Sequence, residues 1–321
     1  MTYDLICIGM ALVDSIIKGF DPKPVSASGY RAASGTLNAG GEAVNGAMAA
    51  AKLGLRTGIL CSLGDDAAAD IVKAALQRCG VDTGLIVRSP QTPVTTMFVN
   101  DDGTRKSITN EAHRYNFHPE KNIDSFTDAR AIILGSLFRS PFDDPEIIHA
   151  VLSAAKNAGL ITAADTKLPN FRKLTLEDLR ESLPLIDYIT PNEDEAAFMT
   201  NMKTPEGMAD ELLRYGVKNV IIKLGGKGCL LKNSEKLIEL PGYRIEATDA
   251  TGAGDNFLAG FVSEILRGSS DEDALRFANA CGAICTTAIG AATALKDREQ
   301  VDRWMKNQEA RNDKEKSPIQ D

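Results

Sequence analysis

At 321 residues the chain is long for a small domain and suits one large α/β unit, or a core with a smaller appendage. Its 36 Lys and Arg against 44 Asp and Glu give a formal net charge of −8, which excludes the basic stripe a nucleic-acid surface needs to displace counterions. No apolar run approaches the roughly 18 to 20 residues that cross a bilayer, which excludes a membrane span.

The chain opens on an apolar stretch, Tyr3 to Ile17, that carries Asp4 and Asp14 and has no basic region before it. It is therefore expected as a buried first strand and not a signal peptide. Short apolar runs then alternate with amphipathic ones: Leu5 to Gly9, Glu42 to Leu53, Thr57 to Ser62 and Ala67 to Arg78. The order resumes with Ala131 to Phe138, a helix over Pro145 to Asn157, then Leu160 to Ala164, Leu185 to Ile189 and Val217 to Leu224. The strand runs are too apolar to have a wet face, so they predict a mostly parallel, doubly wound sheet covered by helices on both sides. Gly54, Gly80 and Gly159 follow helical runs as C-caps, and Thr204-Pro205 opens another helix.

Two stretches break this rhythm. Ser15 to Leu37 is rich in Gly, Pro and Ser, and Thr95 to Thr109 reads as two strands about the turn Asn100-Asp101-Asp102-Gly103. Segments of about 15–38 and 92–117 are expected to pair as a small β lid on a core spanning 1–305, with a charged flexible tail over 306–321. The six cysteines, at positions 7, 61, 79, 229, 281 and 285, lack the paired spacing of a zinc site and point to a reduced, cytoplasmic protein. His113, His118 and His149 have no triad or ligand spacing.

The sharpest motif is Asp249-Ala250-Thr251-Gly252-Ala253-Gly254-Asp255, followed by a helical run from Phe257 to Leu266. Glycines at a helix N-terminus let unpaired N–H groups and the positive end of the dipole hold a phosphate. A carboxylate there is a poor neighbour for an anion unless it takes a proton from the attacking hydroxyl. The plain alternative is a tight turn with Asp255 as helix cap. A dinucleotide fingerprint fails because its third glycine position is Phe257, and no P-loop is present.

With Thr251-Gly252-Ala253-Gly254-Asp255 the sequence resembles the ribokinase-like carbohydrate kinases, the phosphofructokinase B family, although Ala250 departs from their Asp-Thr-x-Gly-Ala-Gly-Asp signature. A second match lies some 200 residues upstream: Gly40-Gly41-Glu42-Ala43-Val44-Asn45-Gly46-Ala47, then Leu53-Gly54 and Gly64-Asp65-Asp66. The resemblance reaches to about Trp304 and implies a three-layer α/β/α fold and ATP-dependent phosphorylation of a sugar hydroxyl. It implies Asp255 as catalytic base, with the amides of Gly252, Ala253 and Gly254 stabilising the transferred phosphoryl group. Asp14, Gly40, Gly41 and Asn45 would bind the sugar, and Arg139, outside the resemblance, is a further candidate beside it.

For the nucleotide the resemblance implies Asn192, Lys223, Gly225, Gly228, Thr251, Gly252, Gly254 and Asn279. Asn192 and Glu195 would orient Mg²⁺ through water, and Asp249, Thr251, Ala288 and Gly290 would hold K⁺. Alternatives stay open: a solvated loop for Asp14, a charge run opening a helix at Asn192 to Glu195, a hairpin turn at Gly225 to Gly228.

Glu42-Ala43-Val44 replaces the Lys-Gly-Ala of ribokinases, and Gly135-Ser136-Leu137-Phe138-Arg139 lacks their acidic residue, so a hexose or ketohexose is expected over ribose. Arg31, Arg105, Arg114 and Arg139 keep an acidic sugar open, and Tyr30, Phe98 and Tyr115 a nucleoside. A catalytically silent sugar-binding regulator is the rival of another class. The lid edge predicts a homodimer in which lids pair.

Overall fold

The computed structural model describes residues 2–18, 32–99, 105–110, 117–170 and 172–316. The expected turn at 100–103, together with Tyr30, Arg31, His113, Arg114, Tyr115 and the side chain of Arg105, lies outside the described residues.

In chain order the elements are β1 (Tyr3–Ile8), β2 (Leu12–Lys18), β3 (Ser34–Gly40), α1 (Glu42–Lys52), β4 (Thr57–Leu60), β5 (Ser62–Leu63) and α2 (Ala67–Arg78). Then come β6 (Val87–Arg88), β7 (Val94–Val99), β8 (Arg105–Thr109), β9 (Ala129–Leu137), α3 (Pro145–Asn157), β10 (Ile161–Thr166) and β11 (Tyr188–Ile189). The chain continues through α4 (Glu193–Thr200), α5 (Pro205–Arg214), β12 (Asn219–Lys223), β13 (Gly228–Lys232), β14 (Leu237–Pro241), α6 (Ala253–Arg267), α7 (Asp271–Cys285) and α8 (Arg298–Lys316).

Eight strands form the main sheet in the order β14-β13-β12-β11-β10-β9-β1-β4. The six from β12 to β4 run parallel, and β13 and β14 return antiparallel at one edge. Successive side chains of a strand point to opposite faces, so Leu5 and Cys7 join a core built with α1, α2, α6 and α7. Ile6 and Ile8 join a second core with α3, α4 and α5. Those two cores are the reason the strand runs read as continuously apolar, and they make the three layers expected from the sequence.

The chain leaves β1 toward β4 on one side, and reaches β9 and β10 on the other. That reversal opens a crevice at the carboxyl ends of β1 and β9. The lid stands over this end as a four-stranded sheet, β3-β2-β7-β8. It draws its strands from the two stretches that broke the βα rhythm.

Two expectations need correction. Tyr3 to Ile17 is not one strand: it breaks after Ile8 at Gly9, so β1 lies in the core sheet and β2 in the lid. The segment from Lys306, expected as a flexible tail, continues α8 to Lys316. Lys306, Gln308, Glu309, Ala310 and Arg311 are strong helix formers, and Trp304 anchors the helix edge-on against Tyr243 at 4.6 Å between ring centroids. Among the described residues no helix is long and apolar enough to cross a membrane.

Candidate active site

Two helices open on glycine at the lid end of the sheet. Helix α6 starts after Gly252 in the left-handed region (φ 77°), with no side chain capping its N–H groups. A Cβ at Gly252 would stand 2.7 Å from the Ala291 backbone, so only glycine fits. The turn is fastened from below. Asp249 accepts from the Thr251 N–H (3.0 Å) and hydroxyl (2.7 Å) with one oxygen, and from the Gly290 N–H (3.1 Å) with the other. Buried Asn256 donates to the carbonyls of Gly252 (2.8 Å) and Ala291 (2.7 Å). Ala288 lies two residues before Gly290 in the same irregular stretch.

The Ala253 N–H, expected to face a phosphate, turns back to the Ala250 carbonyl at 3.2 Å. The amides that follow it in the uncapped first turn are those of Gly254 and Asp255.

Helix α1 starts after Gly41 (φ 96°), again without a side-chain cap. Asn45, one turn on and 5% exposed, donates from Nδ2 to Oδ2 of Asp255 at 2.8 Å. This bond joins the two glycine-opened helices. Asp14 of β2 lies beside Gly40, where a Cβ would sit 3.0 Å from its carboxyl carbon. The structure thus brings together Asp14, Gly40, Gly41, Asn45 and Asp255.

Burial pushes the Asp255 carboxyl up to about 6; Lys167 opposes the rise, and Glu42 and Asp165 add to it. Burial, reinforced by Glu42, likewise raises Asp14 to about 6. A buried carboxylate so placed can exchange a proton near neutral pH.

Beneath Gly254 lies a second polar group. Lys223 donates to Asp165 at 2.6 Å, and its ammonium nitrogen is 2.9 Å from where a Gly254 Cβ would stand. Asn192 and Glu195 form a capping box at the start of α4: Asn192 Oδ1 accepts from the Glu195 N–H (2.9 Å) and Glu195 Oε2 from the Asn192 N–H (3.0 Å). The Thr166 hydroxyl also donates to that Glu195 oxygen, at 2.8 Å, so the glutamate faces the site and not solvent. Burial and Asp165 raise its carboxyl above the usual range.

The chain matches the pfkB family of carbohydrate kinases over residues 3–298. It belongs to that family. A ribokinase of Arabidopsis thaliana is 30% identical, the match covering 94% of this chain and 81% of that protein. A fructokinase of Oryza sativa subsp. japonica is 28% identical over 84% of this chain and 88% of its own. The structure of Arabidopsis thaliana ribokinase complexed with ribose and ATP superposes with a TM-score of 0.84 at 28% identity, covering 95% of this chain and 99% of that one.

Other residues expected at the site of this pfkB-family kinase make contacts of their own. Gly225 and Gly228 form the β12–β13 hairpin turn, the alternative left open, and a Cβ at Gly228 would overlap the backbone of β14. Asn279 on α7 lies beside the buried Cys229 thiol, whose raised pKa it partly offsets. Arg139 donates to the Leu168 carbonyl at 2.6 Å and belongs to the loop beyond β9.

Sequence reading missed Asp165, Thr166 and Lys167. The signal was there, since the apolar run ending at Ala164 stops on Asp165, and polar residues at the carboxyl end of a buried parallel strand point at a ligand crevice. A shift of register between Ala164 and Thr166 marks a bulge at Asp165, a device that re-aims a side chain. Ser136 and Phe138, with φ of 62° and 75°, hold the end of β9 in a conformation that non-glycine residues seldom adopt.

Proposed function

We propose that the chain transfers the γ-phosphoryl group of ATP to a hydroxyl of a small sugar, a hexose or ketohexose. The observation that carries this reading is the Asn45–Asp255 hydrogen bond, which joins buried Asp255, at the uncapped start of α6, to the first turn of α1. Asp14 and Asn45 orient the acceptor, and Asp255 takes the proton of the hydroxyl. The hydroxyl oxygen bonds to the γ-phosphorus as the bond to the bridging oxygen of ADP breaks. The Gly254 and Asp255 amides and the α6 dipole stabilise the charge in flight.

Buried Asp165, whose Oδ2 has no hydrogen-bond partner, and inward-facing Glu195 make a hard oxygen set that suits hydrated Mg²⁺. Asn192 and Glu195 would hold Mg²⁺ there through water, and the ion would supply positive charge to offset that of the phosphates. K⁺ would bind by carbonyls around Asp249, Thr251, Ala288 and Gly290, which rates in potassium against tetramethylammonium salts would test.

The outer lid face supports a homodimer in which lids pair. Leu37 and Ile108 align across the sheet with Ser15 and Thr96 and are 60% and 69% exposed; light scattering at micromolar concentration reads the state. The whole reading is tested by ADP release in the presence of ATP, Mg²⁺ and a panel of pentoses, hexoses and ketohexoses. One acceptor should raise ADP release well above the water-driven rate; sugar binding with no ADP from any acceptor would identify a silent binding protein instead.

A further inference from the structure

The acceptor side of the site holds more negative charge and more hydrogen-bond acceptors than general sugar binding requires. Glu42 is the first residue of α1, immediately after Gly40 and Gly41, and Asn45 follows it by three positions. Residues three apart share a helix face, and Asn45 on that face reaches Asp255. From the other side β9 closes in: a Cβ on Gly135 would stand 3.2 Å from the Glu42 Cβ. Asp14 completes the group against Gly40.

Two side-chain oxygens here are buried without a hydrogen-bond partner, Glu42 Oε2 and Asn45 Oδ1. Asn45 is more than nine-tenths buried. A carboxylate and an amide oxygen can only accept, so the missing partners are donors. Stranding such atoms in a buried place is costly, and a ligand dense in O–H groups relieves it.

Charge points the same way. Glu42 adds to the rise of both the Asp14 and the Asp255 carboxyls, so its field reaches each of them. Among the described residues, the ammonium of Lys167 is shared among Asp165, Asp255, Glu42 and Glu195. Lys223 is committed to Asp165. Arg139 donates to the Leu168 carbonyl.

We propose that Glu42 restricts the acceptor to uncharged polyhydroxyl sugars, taking a hydroxyl proton as its hydrogen-bond partner and turning away sugar acids and sugar phosphates. This rests on the reading of the Asp14–Asn45–Asp255 group as the acceptor site. It separates this chain from kinases whose acceptor carries a carboxylate or phosphate, and it gives a use to the carboxylate standing where ribokinases have lysine.

Isothermal titration of the full chain tests it independently of turnover. The probes are uncharged pentoses, hexoses and ketohexoses, each paired with its sugar acid and its phosphate ester. An uncharged sugar should bind at least roughly tenfold more tightly than its anionic partners, the scale of one uncompensated like charge in a half-buried site. Glu42→Gln, isosteric and without the charge, should shrink that gap several-fold while its melting temperature stays near the parent's.

Equal affinity for a sugar and its acid, no binding of any uncharged sugar, or a gap unmoved in folded Glu42→Gln would each overturn the proposal. The wild-type comparison stands even if the variant does not fold. ADP release keeps the two claims apart: turnover of an acidic sugar defeats the selectivity and leaves the kinase, whereas charge-selective binding without ADP from any sugar defeats the kinase and leaves the selectivity.

Discussion

The helices of this fold begin in two ways. Asp66 opens α2, Asp144 α3, Asn192 α4, Thr204 α5 and Ser270 α7, each accepting a hydrogen bond from a first-turn N–H. Helices α1 and α6 begin on Gly41 and Gly252, both at positive φ and both without a side-chain cap. A capped terminus has used one of its orphan donors; an uncapped one keeps them for something else. The two uncapped ends meet through Asn45 and Asp255. The two kinds of terminus are thus told apart by whether a side chain caps them.

That contrast breaks first at Gly252. In Gly252→Ala the residue must hold a left-handed conformation, costing about 1 to 2 kcal/mol, and its Cβ meets the Ala291 backbone at 2.7 Å. Displacing the α6 amides by even an ångström is expected to cut kcat by about 10²-fold, with a lowered melting temperature. Parent-like kinetics would mean that the open terminus does not hold the phosphoryl group.

The next effect is electrostatic and tests how the open ends are tuned. Asp255 is raised from 3.8 to about 6, and a base must be ionised to act. Activity should therefore fall as pH drops through about 6. Stability runs the other way. The raised values of Asp255 and Asp14 contribute stability that is fully present below pH 3.8 and lost as pH rises through about 6. Lys167 holds Asp255 down, so Lys167→Met should move the acid limb of the pH–rate profile upward, with most of the loss near pH 6. An unmoved limb would separate Lys167 from the base.

The smallest effect belongs to a capped end. Thr204 accepts from the Gly207 N–H at 3.2 Å, and Thr204→Ala should cost about 1 kcal/mol in denaturant unfolding. Its kinetics should match the parent's, and a change in kcat would erase the distinction between the two kinds of terminus.

Much of this was legible beforehand because it is local. The apolar strand runs, the caps at Thr204 and Gly54 and the glycine turns at 40–41 and 252–254 depend on neighbours in sequence, and the structure has them where the residues put them. What could not be read depends on distant contacts. The Ala253 amide is lost to Ala250 through the shape of one turn. Glu195 is held by Thr166, 29 residues away, and Lys223 of β12 finds Asp165 of β10 across β11. The course of α8 past Lys306 was missed for another reason: charge was read as disorder where helix propensity decided the outcome.

The central claim is that Asp255 is the base, and Asp255→Asn tests it most directly. The substitution keeps a carbonyl oxygen to accept from Asn45, which now donates at 2.8 Å, and removes the ability to take a proton at neutral pH. Single-turnover phosphoryl transfer to the sugar that the wild type uses best should slow by ~10² to 10⁴-fold, while titration finds ATP and sugar still bound. Folded Asp255→Asn that phosphorylates that sugar within a few-fold of the parent rate would contradict the account.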